Sequence, residues 1–138
     1  MDRRRVSIAE IEGMHLSRPG AEASHFHRRC HEAATKPLSD LTASDLRVLI
    51  SQDIGLRYVL PIALEIVETA PLLESDHFKG DLLAAILRAS KEFYREHPEL
   101  RARVAKLLET LPAALDTLDY IDFDTTCEAL EEASSNFR

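Results

Sequence analysis

Residues 56–67 read LRYVLPIALEIV. Apolar side chains recur there at the third and fourth positions that form one face of an α-helix, and they are Leu56, Val59, Leu60, Ala63, Leu64 and Val67. The opposite face is apolar too, because it carries Tyr58, Ile62 and Ile66. A helix that is apolar nearly all round is usually buried, so this stretch predicts the central helix of the fold. Pro61 should kink that helix or mark its true start.

Capping signatures divide the rest of the chain into further helices. Three pairs have the spacing of a capping box, and they are Ser7 with Glu10, Thr42 with Asp45, and Thr125 with Glu128. Gly55 is placed to end the helix that Thr42 opens, and Asp81 after Gly80 is expected to cap another helix. Ser90 and Pro98 mark two more helix starts. The pattern predicts an all-α fold, a compact domain of about six or seven short helices around a buried central helix.

The length of 138 residues is typical of one domain, and it allows a buried core without disulfides or metals. We therefore expect residues 1–138 to form a single domain. A turn is expected at residues 18–20, where arginine, proline and glycine follow one another. The helix predicted for residues 21–34 should turn Phe26 and Cys30 toward the core, because they lie four positions apart.

Charge is distributed unevenly along the chain. The formal net charge is −7, with a net of +2 in residues 1–36 and −9 in residues 37–138. An acidic body repels phosphate backbones, which argues against nucleic-acid binding outside the N-terminus. The arginines at positions 3–5 are most simply a frayed terminus. The same acidity favours a basic protein as partner.

No catalytic or metal-binding constellation stands out, so the sequence predicts a protein that is not an enzyme and holds no cofactor. His25, His27, Cys30 and His31 lie within seven residues, but the remaining ligands of a structural zinc site are missing. Cys30 beside a histidine could be a nucleophile, although a buried free thiol is the simpler interpretation for it and for Cys127. No apolar run is long enough to span a membrane and no secretory signal is recognisable, so the cytosol is the expected compartment.

The stretch from residue 116 to residue 132 carries seven acidic side chains and no basic one. One interpretation is a solubilising surface. The other is a docking surface for a basic partner, which the interleaved Tyr120 and Phe123 favour because aromatic side chains anchor interfaces. These two rings could equally belong to the core, so the residues leave both interpretations open.

Between residues 36 and 83, a series of short motifs occurs in a specific order and spacing. They are Lys36-Pro37-Leu38, Asp45-Leu46-Arg47, Leu49-Ile50-Ser51-Gln52, Ile54-Gly55-Leu56, Pro61-Ile62-Ala63-Leu64-Glu65 and Gly80-Asp81-Leu82-Leu83. The series resembles the immunity proteins of bacterial contact-dependent growth inhibition (CDI) systems. The resemblance covers roughly residues 24–100, between an N-terminal extension (1–20) and an acidic C-terminal segment (116–138). The sequence departs from the family where Ser51 replaces a favoured glycine and Tyr94 a common tryptophan.

The resemblance implies that the chain binds a cognate toxin domain in the cytosol and blocks it. It implies a 1:1 complex with a basic toxin, often a nuclease, and no membrane, nucleic acid or small-molecule substrate as partner. The contact residues should then be acids and exposed aromatics, and the predicted partner-binding acids are Glu74, Asp76, Asp116, Asp119, Asp122, Asp124 and Glu128. The alternative is a small helical adaptor or transcription-regulatory module without a toxin partner.

Overall fold

The computed structural model describes residues 5–11 and 24–138. These residues form eight α-helices: α1 (Ile8–Ile11), α2 (His25–Thr35), α3 (Ala43–Ser51), α4 (Leu56–Thr69), α5 (Asp81–Arg88), α6 (Lys91–Glu96), α7 (Pro98–Leu115) and α8 (Tyr120–Phe137). A single 3₁₀ turn, Leu38–Asp40, joins α2 to α3. The all-α class is therefore confirmed. The turn predicted at residues 18–20 and the helix start predicted at residue 21 lie outside the described residues.

The helix at the centre of the core is α5 rather than α4. It packs against α3, α4 and α8, and its Leu82, Leu83, Ile86 and Leu87 are almost completely inaccessible to solvent. The second apolar face predicted for α4 is only partly buried. Although α4 also packs against three helices, α3, α5 and α7, solvent reaches part of its surface, whereas six of the eight residues of α5 are buried. Pro61 lies inside α4, five residues after its first residue, so it does not mark the start.

Several predicted helix starts are confirmed by the local hydrogen bonds. At α3 the Thr42 side chain accepts from the Asp45 amide, and the Asp45 carboxylate accepts from the Thr42 amide, which completes the capping box. At α1 the Ser7 hydroxyl accepts from the Glu10 amide at 3.1 Å. Ser90 caps α6 in the same way. Each side-chain oxygen satisfies an amide that would otherwise lack an acceptor in the first helical turn.

The end of α3 differs from the prediction. Asp53, not Gly55, takes the left-handed conformation after this helix, with a φ of 53°. The Ile54 amide donates to the Leu49 carbonyl at 2.9 Å and the Asp53 amide to the Ile50 carbonyl at 3.0 Å, which is a Schellman motif. Aspartate tolerates this conformation better than most residues. Gly55 instead precedes the first residue of α4, also with a positive φ.

The start of α8 was also predicted wrongly. The sequence placed a capping box at Thr125, but α8 begins at Tyr120 and the Asp119 side chain accepts from the Asp122 amide at 3.0 Å. Aspartate is as good a cap as threonine, so the cap that comes first in the chain opens the helix and Thr125 falls inside it.

The prediction that Phe26 faces the core is wrong. Its side chain is 50% exposed, and Cys30 is only partly buried. The residues of α2 that enter the core are Ala33 and Ala34, at the end of the helix. Because only this last part of α2 contacts the core, its first turn remains open to solvent.

Candidate partner-binding surface

The first turn of α8 carries a group of exposed apolar side chains. Tyr120 is 94% exposed, Ile121 83% and Phe123 42%. The inward stripe of α8 starts only at Thr126, whose hydroxyl donates to the Lys79 carbonyl at 2.9 Å. The turn before Thr126 therefore has no core to bury its side chains. We call Tyr120, Ile121 and Phe123 the α8 patch. The sequence left Tyr120 and Phe123 undecided between core and surface, and both rings lie on the surface.

Acidic side chains surround the α8 patch. Asp116, Asp124 and Glu128 are exposed, and they take part in no ion pair within the described residues. Asp119 caps α8, and the hydrogen bond from the Asp122 amide lowers the pKa of its carboxyl group. Asp122 is partly buried and pairs with a lysine. Three of the predicted acids are thus available to a partner, and two have a local structural role.

Lys79 connects the predicted loop acids to the C-terminal acids. Its ammonium nitrogen lies 3.0 Å from an oxygen of Asp122, and its backbone forms an isolated bridge with Glu74. The pKa of Lys79 is raised, first by the hydrogen bond to Asp122 and further by the charges of Asp119 and Glu74. The fold therefore brings Glu74, Asp119 and Asp122 around one cation, although the sequence separates the first from the others by more than forty residues.

Asp76 occupies a different position from the other predicted acids. Its carboxylate accepts from the Arg47 guanidinium at 2.8 Å and from the Ser44 hydroxyl at 2.9 Å, which ties its loop to α3. Burial alone would raise the pKa of Asp76, but these two hydrogen bonds outweigh it and lower the pKa. Asp76 thus stabilises the fold by an intramolecular ion pair before it meets any partner.

The loop that holds Glu74 and Asp76 is fixed by Asp81. This carboxylate is nearly inaccessible and accepts from the amides of Ser75, Asp76 and His77 and from the Ser75 hydroxyl, at 2.8–2.9 Å. Burial would raise its pKa, but the amide hydrogen bonds outweigh that effect and lower the pKa. The prediction that Asp81 caps its own helix is therefore wrong: it organises the preceding loop, because the amides there converge on it.

A second buried carboxylate, Asp45, joins α2 to α3. Its oxygens lie 2.6 Å from an Arg29 nitrogen and 3.0 Å from the Lys36 nitrogen, and it also accepts from the Thr42 amide. Burial opposes ionisation, yet the hydrogen bonds and the two cations lower the pKa of Asp45 to about 2. The sequence indicated only the capping box here, since Arg29 lies in another helix.

The histidines and cysteines among the described residues do not form the metal site that their clustering in the sequence raised. His25 and His27 are exposed on α2. Across residues 5–11 and 24–138, no three histidine, cysteine or acidic side chains are grouped closely enough to hold a metal ion. Burial raises the pKa of the Cys30 thiol, which disfavours the reactive thiolate. In the same part of the chain, none of the helices has the length and apolar character that a bilayer span requires.

Comparison with known proteins adds one finding to this geometry. No curated protein and no solved structure gave a significant match. The model of one family, the CDI immunity proteins, matches residues 10–104. The match ends within α7, so the α8 patch and its surrounding acids lie beyond it. Because the family model covers more than half of the chain, this protein belongs to the family of CDI immunity proteins.

Proposed function

We propose that this chain binds the cognate toxin domain of a CDI system in the cytosol and neutralises it, protecting the bacterium that makes both. The observation that carries the proposal is the α8 patch, an exposed apolar group with acids around it in a chain that belongs to an immunity family. Apolar anchors inside a polar rim are typical of protein interfaces. The chain binds in a 1:1 ratio and performs no reaction.

The charge of the surface indicates the chemistry of the partner. Residues 37–138 carry a net charge of −9, and Asp116, Asp124 and Glu128 lie exposed near the α8 patch. Such a surface attracts a basic protein and speeds its association at low salt. A toxin that acts on nucleic acid needs a basic surface to hold phosphates. We therefore propose a nuclease as the toxin, with the acids of the chain occupying its phosphate-binding surface.

The position of the α8 patch outside the family match supports a role for this patch in selecting one toxin. The residues shared with the family, 10–104, include the helices α2 to α6. The α8 patch lies on a helix that the family model does not cover. A common scaffold with a variable binding surface is an economical way to obtain a different specificity for each toxin.

The proposal is tested by protection of growing cells. The toxin domain encoded beside the gene for this chain is expressed from an inducible promoter, and colony formation is counted with and without the chain. Wild-type chain should restore growth. The variant Asp116→Lys/Asp124→Lys/Glu128→Lys should protect at least roughly tenfold less well, because it replaces attraction by repulsion. Asp119 and Asp122 are left intact, since Asp119 caps α8 and Asp122 pairs with Lys79.

A matched control separates local from total charge. The variant Asp40→Lys/Glu65→Lys/Glu96→Lys changes three exposed acids elsewhere on the surface and alters the net charge by the same amount. It should protect as well as wild type. If both variants lost protection equally, net charge alone would explain the loss, and the assignment of the binding surface to α8 would be rejected. Failure of the wild-type chain to protect would reject the proposed function itself.

A further inference from the structure

A groove runs between the two longest helices, α7 and α8. Its main hollow has a volume of about 370 Å³ and is lined by Leu108, Leu111, Pro112 and Leu115 of α7 and by Cys127 and Leu130 of α8. A second hollow, of about 280 Å³, shares Leu108 with the first and extends the groove along α7. The main hollow lies in the lower part of the range seen for ligand pockets.

The groove is open because the contact between α7 and α8 does not bury all the apolar side chains of α7. The inward stripe of α7 contains Leu100, Val104, Leu107 and Leu111. Leu108 and Leu115 lie beside that stripe and are only partly buried. Two half-buried leucines that face a groove leave apolar surface without a partner inside the described chain.

One residue of the α8 patch, Tyr120, lies in line with the groove along α8. Tyr120, Asp124, Cys127 and Glu131 are separated by four, three and four positions, so they share one side of α8. Cys127 and Glu131 line the groove. Tyr120, at the first residue of the same stripe, therefore lies about two helical turns before Cys127 on that side of α8, so a partner that fills the groove can also reach the α8 patch.

The groove is negative at the end nearer the start of α8, whereas Arg138 lines both hollows and Arg101 lines the second. Burial raises the pKa of the Cys127 thiol, and the charges of Glu131, Asp124 and Asp116 raise it further. These three carboxylates therefore act on the interior of the groove. A segment that combines an apolar side chain with lysine or arginine would match both the leucines and the acids.

We propose that the α7–α8 groove receives an apolar side chain from a basic segment of the toxin domain, next to the contact that the α8 patch makes. This inference rests on the proposed function and specifies the place and chemistry of the anchor. The other conceivable occupant is the same groove of a second copy of this chain, and the test below separates the two.

The first test uses the cysteines as reporters. The full-length chain, alone and in complex with its toxin domain, is treated with N-ethylmaleimide, and the modification of Cys127 and Cys30 is followed by peptide mass spectrometry. Cys127 in the complex should react at least roughly tenfold more slowly, whereas Cys30, on α2, should change by less than about twofold. Unchanged reaction of Cys127 in a stable complex would overturn the proposal.

The second test fills the groove. Ser135 is exposed and lines the main hollow, whereas its exposed neighbour Asn136 does not line it. Ser135→Trp should weaken toxin binding by at least about tenfold, and Asn136→Trp by less than about twofold. Circular dichroism at 222 nm should give the same helix content for both variants, which excludes misfolding as the cause. Equal affinity of the two variants would overturn the proposal.

The outcomes distinguish this inference from the proposed function. Loss of binding in the triple charge variant with normal binding by Ser135→Trp would keep the function and reject the groove. Absence of any complex with wild-type chain would reject both. Protection of Cys127 that rises with the concentration of the chain alone, together with a dimer in light scattering, would assign the groove to a second copy and overturn the proposal.

Discussion

Replacing Asp81 by asparagine should loosen the loop before α5 while leaving the side-chain volume unchanged. One oxygen of Asp81 accepts from the amide and hydroxyl of Ser75, and the other accepts from the amides of Asp76 and His77. Asparagine has only one acceptor oxygen, so its NH₂ group must face donors. The NH₂ group fits best toward Ser75, because the Ser75 hydroxyl can rotate and accept a hydrogen bond from it. The Ser75 amide then loses its partner, and the remaining contacts lose their charge.

The expected loss of stability follows from these contacts. Hydrogen bonds to a charged group contribute about 1.5–3 kcal/mol and neutral ones about 0.5–1.5 kcal/mol. The lost hydrogen bond and the weakened ones together amount to more than the energy of a single charged hydrogen bond. Two effects reduce the loss: a neutral asparagine side chain has a smaller desolvation penalty than a carboxylate, and a loosened loop lets water reach the freed amide. We therefore expect Asp81→Asn to lower the free energy of unfolding by about 2–3 kcal/mol, or the melting temperature by roughly 6–12 °C.

Urea unfolding followed by circular dichroism measures this change, with the exposed Asp40→Asn as a control that should alter stability by less than about 0.5 kcal/mol. Hydrogen exchange gives the local effect, since the amides of residues 75–77 should exchange roughly a hundredfold faster in the variant. A loss below about 1 kcal/mol, or unchanged exchange of these amides, would refute the role assigned to Asp81.

Three further substitutions test the scaffold. Asp45→Asn should cost about 2 kcal/mol at pH 7. In urea titrations that difference should shrink as the pH falls from 4 toward 2, because the folded pKa of about 2 lies below the ordinary 3.8. Gly55→Ala should lower the free energy of unfolding by about 2 kcal/mol or more, because a Cβ atom would lie 2.5 Å from Ile8. This loss should be smaller in an Ile8→Ala background, and strictly additive effects of the two substitutions would contradict the clash. Tyr94→Phe should cost about 1 kcal/mol by thermal unfolding, since it removes the 2.5 Å hydrogen bond to the Ile86 carbonyl; unchanged stability would argue that this bond contributes nothing.

The sequence predicted the helical class and most helix starts, because those depend on nearby residues. The capping box at Thr42 is confirmed, as are the helix starts at Ser7, Ser90 and Pro98. Where two signals compete, the local pattern was insufficient. Asp53 ends α3 although a glycine follows two positions later, because the chain conformation there depends on contacts with distant residues, such as the Ser90 amide that Asp53 accepts from.

The candidate surface was harder to predict than the fold. The acids between residues 116 and 132 were visible in the sequence, but their exposure depends on where the inward stripe of α8 begins, at Thr126. The partners of Asp81 lie only four to six positions away but depend on the conformation of the loop, and the Asp76 pair with Arg47 spans twenty-nine positions. No single-sequence spacing rule reaches that far. The α7–α8 groove likewise requires the relative placement of two helices.

Direct binding of the purified toxin domain tests the central claim best. Isothermal titration of the wild-type chain with a toxin domain inactivated by substitution should give a 1:1 complex whose affinity falls as salt rises. The variant with lysines at Asp116, Asp124 and Glu128 should bind at least roughly tenfold more weakly at low salt, and the control with lysines at Asp40, Glu65 and Glu96 should bind normally. No complex with the wild-type chain, or equal binding by both variants at every salt concentration, would contradict neutralisation through the acidic surface of α8.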